Sequence, residues 1–118
     1  LSPRSADFRQ RFEVGADETL VGDFPCALST AHGLCQGMLH VSTRHLCFEA
    51  ALFAAAYTKL SLTRITAVEG CRDPLFHLIS NALKLSLDDG STHIFASFQH
   101  RDEALSLICR LLSADVQA

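Results

Sequence analysis

The chain reads as a mainly β domain, seven short strands arranged as a sandwich or barrel and capped by one C-terminal amphipathic α-helix. Three observations predict this. Short segments alternate apolar with polar residues, Leu83-Lys84-Leu85-Ser86-Leu87 being the clearest, and a period of two is that of a half-buried strand. That segment runs straight into Asp88-Asp89-Gly90, a hairpin turn signal, because Gly tolerates the positive φ such turns need. The period then changes: Ala104, Leu105, Leu107, Ile108, Leu111 and Leu112 follow helical spacing.

The elements can be justified in order. Phe8 and Phe12 stand four residues apart, which places both rings on one side of a helical turn or two. Asp17-Glu18 reads as a turn leading into a strand at Leu20-Val21. Cys35 to Val41 alternates with Leu39 and Val41 on one face, Ser42-Thr43 turns the chain, and Leu46 and Phe48 then point inward between His45 and Glu49. Lys59-Leu60-Ser61-Leu62-Thr63 predicts a further strand, and Ile65 to Val68 another with a phase slip that indicates a bulge. Asp73-Pro74 breaks the chain. Thr92 to Phe98 completes the hairpin begun at Leu83. The final helix carries Asp102 and Glu103 in its first turn and Arg110 near its end, in keeping with the helix dipole. Its apolar stripe suits the closing of one end of a β core.

Bulk properties narrow the function. The sequence has 118 residues, 48% apolar and 19% charged, with a formal net charge of −3. That is one domain with material for a core, expected to span 1–118 with its essential part at 8–112. A start at Leu1 rather than Met predicts that it is part of a longer protein. The charge balance argues against nucleic-acid binding, which relies on clustered Lys and Arg. No apolar stretch reaches the ~18–20 residues that span a bilayer, and the first residues do not read as a signal peptide. Five cysteines, Cys26, Cys35, Cys47, Cys71 and Cys109, occur without any C-x-x-C. Most lie in apolar runs, as reduced buried thiols of a cytoplasmic protein do.

Catalysis and cofactors find no support. The six histidines (32, 40, 45, 77, 93 and 100) sit in no nucleophile elbow, zincin pair or phosphate loop. His40 and His45 flank a turn, with no third metal ligand to join them. Asp88 and Asp89 belong to a turn rather than to a carboxylate pair. No cofactor is expected, and the chain is not read as an enzyme.

The order of motifs resembles the GRAM domain of the pleckstrin-homology (PH)-like superfold. The residues that carry the resemblance are Asp17-Glu18, Asp23 to Leu28, Gly37-Met38-Leu39-His40-Val41-Ser42, Arg44-His45-Leu46-Cys47-Phe48, Thr58-Lys59, Ile65 with Val68, Asn81-Ala82-Leu83, Phe95-Ala96-Ser97-Phe98 and Arg101-Asp102. The resemblance implies a seven-stranded, strongly bent sandwich closed by the C-terminal helix. It also implies a module that associates peripherally with membranes or phosphoinositides, or docks onto protein, inside a larger cytoplasmic protein such as a lipid-transfer protein or Rab-GAP.

Two features bear on that expectation. PH domains that grip inositol phosphates crowd cations around the first hairpin. Here Ser29-Thr30-Ala31-His32-Gly33-Leu34 offers only His32, so any phosphoinositide or anionic-lipid attraction should be weak. The other feature is the run Ala50 to Tyr57, which is nearly all apolar and only as long as a hairpin connection. Either it folds back over the end of the core, or Leu52 and Phe53 form an apolar tip with Tyr57 at the interface and Lys59 attracting anionic lipid. The same tip would serve a protein partner or another domain of the parent chain. Arg44, Arg64, Arg72 and Lys84 are candidates for a secondary basic patch, or else are scattered solvated charges.

Overall fold

The computed structural model describes the backbone of residues 3–15, 17–51, 57–72 and 79–117, and the side chains of 6–15, 17–51, 58–72 and 79–113. Helix α1 (Pro3–Phe12) precedes β1 (Leu20–Thr30), β2 (Gly33–Ser42), β3 (His45–Ala50) and β4 (Tyr57–Ser61). A 3-10 turn (Leu62–Arg64) leads to β5 (Ile65–Cys71), β6 (Ala82–Leu87), β7 (Thr92–Ala96) and α2 (Arg101–Gln117). The strands form one sheet in the order β4-β3-β2-β1-β7-β6-β5, antiparallel throughout. Its edges are β4 and β5, so the sheet is not closed.

Strand β1 is where the two halves of the sheet join. It pairs with β2 from Leu20 to Thr30 but with β7 only through Ala27 and Leu28. Pro25, which has no N–H to give a ladder, lies in the part of β1 that pairs with β2 alone, the position at which a strand tolerates proline. The core lies between the halves. Phe48 of β3 and Phe95 of β7 meet with ring centroids 5.6 Å apart, surrounded by buried Leu39, Val41, Leu46, Leu83 and Leu85. From α2, Ala104 and Ile108 reach full burial, and Leu105, Leu107, Leu111 and Leu112 pack at the margin. The helix thus covers the core as its apolar stripe requires.

Two glycines are needed where they stand. Gly37 faces Ala50 across β2 and β3; a methyl there would run into the Glu49 carbonyl and come within 2.6 Å of the Phe48 ring. Gly90 closes the β6–β7 turn at φ 87°, its N–H donating to the Leu87 carbonyl at 3.0 Å.

The expected alternation holds in β2, β3 and β6, and the phase slip appears as a register shift between Ile65 and Ala67. Several boundaries differ, β5 for one running on from Val68 to Cys71. Leu62 leaves the strand and enters the 3-10 turn, yet it is still buried, since Leu60 and Leu62 reach the core by either conformation. The last strand ends at Ala96, ahead of Ser97 at φ 57°. The N-terminal turn or two becomes a ten-residue helix. Asp73-Pro74 lies outside the described residues.

Helix α1 packs on the outer face of the sheet. Phe8 and Phe12 are buried there with Cys47, and Val14 and Leu20 pack alongside. The helix stops with Glu13 at φ 54° and the Val14 N–H returning to the Arg9 carbonyl at 3.2 Å. This is the Schellman closure, with Val14 supplying its apolar contact.

Phe48→Ala removes the ring shared by both halves of the sheet. The expected loss is about 3–5 kcal/mol, enough to unfold a marginal domain; a thermal melt close to that of the unsubstituted protein would contradict the packing described.

Candidate functional site: the two ends of the β3–β4 hairpin

The hairpin of β3 and β4 is fixed by five rungs, from His45 opposite Ser61 to Glu49 opposite Tyr57. At its far end the chain leaves β3 at Ala50 and rejoins the sheet at Tyr57. Leu52 and Phe53 fall in the connection between, outside the described residues, as does the Tyr57 side chain. Lys59 is turned to the outer face, opposite Cys47. Its ammonium donates to the Phe12 carbonyl at 3.1 Å, satisfying a backbone acceptor at the end of α1.

The near end is polar and tightly tied. Glu18, at 1% exposure, accepts from the Ser42 hydroxyl and faces His45 Nδ1 at 2.9 Å. Ser42 Oγ in turn accepts from the amides of His45 at 3.0 Å and Arg44 at 3.3 Å. An ionised carboxylate only accepts, so Nδ1 carries the hydrogen. Arg9 donates to the Glu18 carbonyl at 2.9 Å. A second pair, His40 Nδ1 to Asp23 Oδ1 at 2.6 Å, lies beneath α1, with the His40 ring 5.5 Å from that of Phe12. Each of the two histidines is held by its own carboxylate.

Among the described residues, Arg44 and Arg64 each face carboxylates. Arg44 pairs with Asp17 at 2.7 Å, both well exposed. Arg64 donates to Asp88 at 3.1 Å and to Asp89 at 3.0 Å; these bonds hold its guanidinium above its ordinary pKa. The hydroxyl and amide of Ser91 hold the Asp89 carboxyl below its usual value, with Arg64 adding to the effect. Lys84 sits on β6 opposite Glu69, and Arg72 lies just past β5. Spacing along the chain does not reveal these carboxylate partners, since Arg64 meets residues more than twenty positions away.

All five cysteines are free thiols. Burial pushes Cys26 and Cys47 up to about 12, and at Cys47 the Glu18 carboxylate adds to the rise. A thiol raised in the fold contributes stability that is complete below the unfolded thiol value of ~8.5. That contribution is lost as pH climbs toward the folded value. At pH 8 an alkylating reagent is expected to reach exposed Cys109 and spare Cys26 and Cys47. Phe12→Ala should strip cover from Cys47 and speed its modification by more than tenfold, leaving Cys26 protected. Equal protection of Cys47 in both proteins, read by mass spectrometry, would contradict the docking of α1.

Known proteins resemble this chain in sequence and fold. The family model of the GRAM domain matches residues 6–117. The protein VASCULAR ASSOCIATED DEATH 1, chloroplastic, of Arabidopsis thaliana is 35% identical over 106 residues. The match takes in 89% of this chain but 17% of that protein. Among solved structures, a C-terminal domain of a protein from Leishmania infantum superposes with a TM-score of 0.78 at 28% identity, covering 91% of this chain and 95% of that one. The Vps36 N-terminal PH domain superposes at 0.73 with 10% identity, covering 89% and 86%. The hSac2 domain of the human phosphoinositide phosphatase Sac2 superposes at 0.61 with 15% identity, covering 99% and 84%. A bent seven-stranded sheet with a C-terminal helix, matched over nearly its whole length, places this chain in the GRAM domain family, on the PH-like fold.

Proposed function

We propose that this chain is a non-catalytic membrane-associating module that helps hold a larger protein at a lipid surface. It acts through the apolar β3–β4 connection, assisted by weak attraction to anionic lipid. One observation carries the reading. The last rung of the hairpin is Glu49 opposite Tyr57, and β4 is an edge strand of the sheet. By sequence, Leu52 and Phe53 belong to the connection that leads from β3 into this edge strand. In this reading those two large apolar side chains supply the interaction surface.

The charge distribution supports a modest affinity. Among the described residues the first hairpin holds only His32, and Arg44 and Arg64 already face carboxylates. Lys59 stays exposed while it caps α1; in this reading it contributes about 1 kcal/mol toward an anionic surface. No helix among the described residues is long and apolar enough to cross a membrane, and contact from one side is what a peripheral module requires. GRAM and PH-like domains are typically binding modules, and the chain is read as acting on the cytoplasmic face beside other domains that add their own affinity.

Replacing Leu52 and Phe53 together with Asp tests this. Melting should be nearly unchanged, whereas co-sedimentation with vesicles should weaken at least a hundredfold, each buried side chain being worth roughly 1.5–3 kcal/mol. A large loss of stability would show that the connection covers the core instead. A stable variant that sediments like the original protein would refute the membrane reading. If, in addition, a partner domain lost its hold on that variant, the docking role would replace it.

A further inference from the structure

At the near end of the same hairpin lies a recess of about 420 Å³ lined by Thr43, Arg44, His45, Ser61, Leu62 and Thr63. We propose that this recess binds a phosphomonoester group, with Arg44 and His45 as its charged and polar anchors and the hydroxyls of Ser61 and Thr63 on the facing wall. The assignment does not depend on the apolar connection, which leaves β3 at its opposite end, Ala50, roughly 17 Å along a strand of this length.

The two walls come from different parts of the chain and are fixed against each other. The Leu62 N–H donates to the Arg44 carbonyl at 2.9 Å, and His45 stands opposite Ser61 in the ladder. The hydrogen-bonding capacity left over in the recess is rich in donors. Arg44 has five N–H groups and gives a hydrogen bond from one nitrogen, Nη2, to Asp17. Ser61 Oγ and Thr63 Oγ1 share one bond at 2.9 Å, which leaves one hydroxyl hydrogen to give. His45 lines the recess while its Nδ1 is held by the buried Glu18 carboxylate. Its Nε2 then suits a phosphomonoester in either state, donating to a phosphate oxygen when the ring is charged and accepting from a P–OH when it is neutral. Arg adds the planar fork that matches phosphate oxygens.

Asp17 is the natural competitor. Its bond to Arg44 joins side chains 67% and 64% exposed, and such pairs are weak, so a dianion can take its place. The volume exceeds that of a phosphate and leaves space for the group that carries it. That carrier is either a small soluble molecule or a lipid headgroup; the anchoring chemistry is the same.

The test uses the whole chain with three probes: inorganic phosphate, glycerol phosphate and vesicles containing phosphatidic acid. Resonances of the His45 ring and the Arg44 Nε–H should shift saturably with phosphate or glycerol phosphate in the millimolar range. Arg44→Gln should weaken this by about tenfold, the loss of one charge-assisted contact. Asp17→Asn should tighten it, an effect that a purely structural pair would not produce. If the carrier is a lipid, phosphatidic acid vesicles should retain the protein more tightly than neutral vesicles, and Arg44→Gln should abolish that difference whether or not Leu52 and Phe53 are also replaced. If it is soluble, retention should ignore Arg44. No saturable shift by any probe, or unchanged affinity in both the Arg44 and Asp17 variants, would overturn the assignment.

Discussion

The buried carboxylate of Glu18 organises more of this domain than any other single group. Leaving a carboxyl group at 1% exposure is costly unless its lone pairs are met. Here the Ser42 hydroxyl and the His45 ring meet them. These partners lie 24 and 27 residues further along the chain, so satisfying one side chain forces the approach to β1 against the β2–β3 turn. The backbone follows. Thr43 N–H reaches the Thr19 carbonyl at 3.0 Å, and Leu20 falls into register with Ser42. The same approach carries α1, because Arg9 holds the Glu18 carbonyl while Phe8 and Phe12 settle over Cys47.

Much of this was legible in the sequence. Where one face of a strand is buried, alternation fixes which residues enter the core, and Phe48, Leu60, Leu62, Leu85 and Phe95 are all buried. The Asp88-Asp89-Gly90 turn was legible for a similar reason: its signal is local backbone chemistry. The signals that failed are long-range. Nothing in the spacing tells Glu18 to seek His45, or Arg64 to neutralise the two turn carboxylates. The length of α1 was hidden because only Phe8 and Phe12 mark its buried side, and Arg9 and Arg11 on the same short helix read as polar filler. Leu62 misled for a different reason. An apolar residue two places after Leu60 satisfies the strand pattern even when the chain has already turned to 3-10 geometry.

The cations show how composition can mislead about binding. Ten Lys and Arg side chains could in principle make a basic face, but local bonds divide them. Lys59 closes α1, and Arg64 clamps the β6–β7 turn to the 3-10 segment, a link shared by the Asp88 N–H to the Arg64 carbonyl at 2.9 Å. Arg101 fastens the start of α2 to the Ala82 carbonyl at 3.0 Å and to Ser80 Oγ at 3.0 Å. Charges used in this way hold turns and helix ends rather than project a field, which fits a module of modest lipid affinity.

The β3–β4 hairpin concentrates the two proposed surfaces because its ends face different constraints. The turn end is locked by Glu18, Ser42 and the Leu62–Arg44 backbone bond, so the walls of the recess and the His45 ring hold fixed positions, as recognition of a compact anion requires. The connection end follows the last rung, Glu49 with Tyr57, and the Ala51 N–H bond to the Gln36 carbonyl, and its sequence offers bulk and alanine rather than hydrogen-bonding groups. Such a segment gains from burying area, with little call for exact geometry. A bilayer asks for that kind of contact and a phosphomonoester for the other. The rigid hairpin between them keeps the recess and the apolar connection on opposite ends of one strand pair, so each can be occupied without displacing the other.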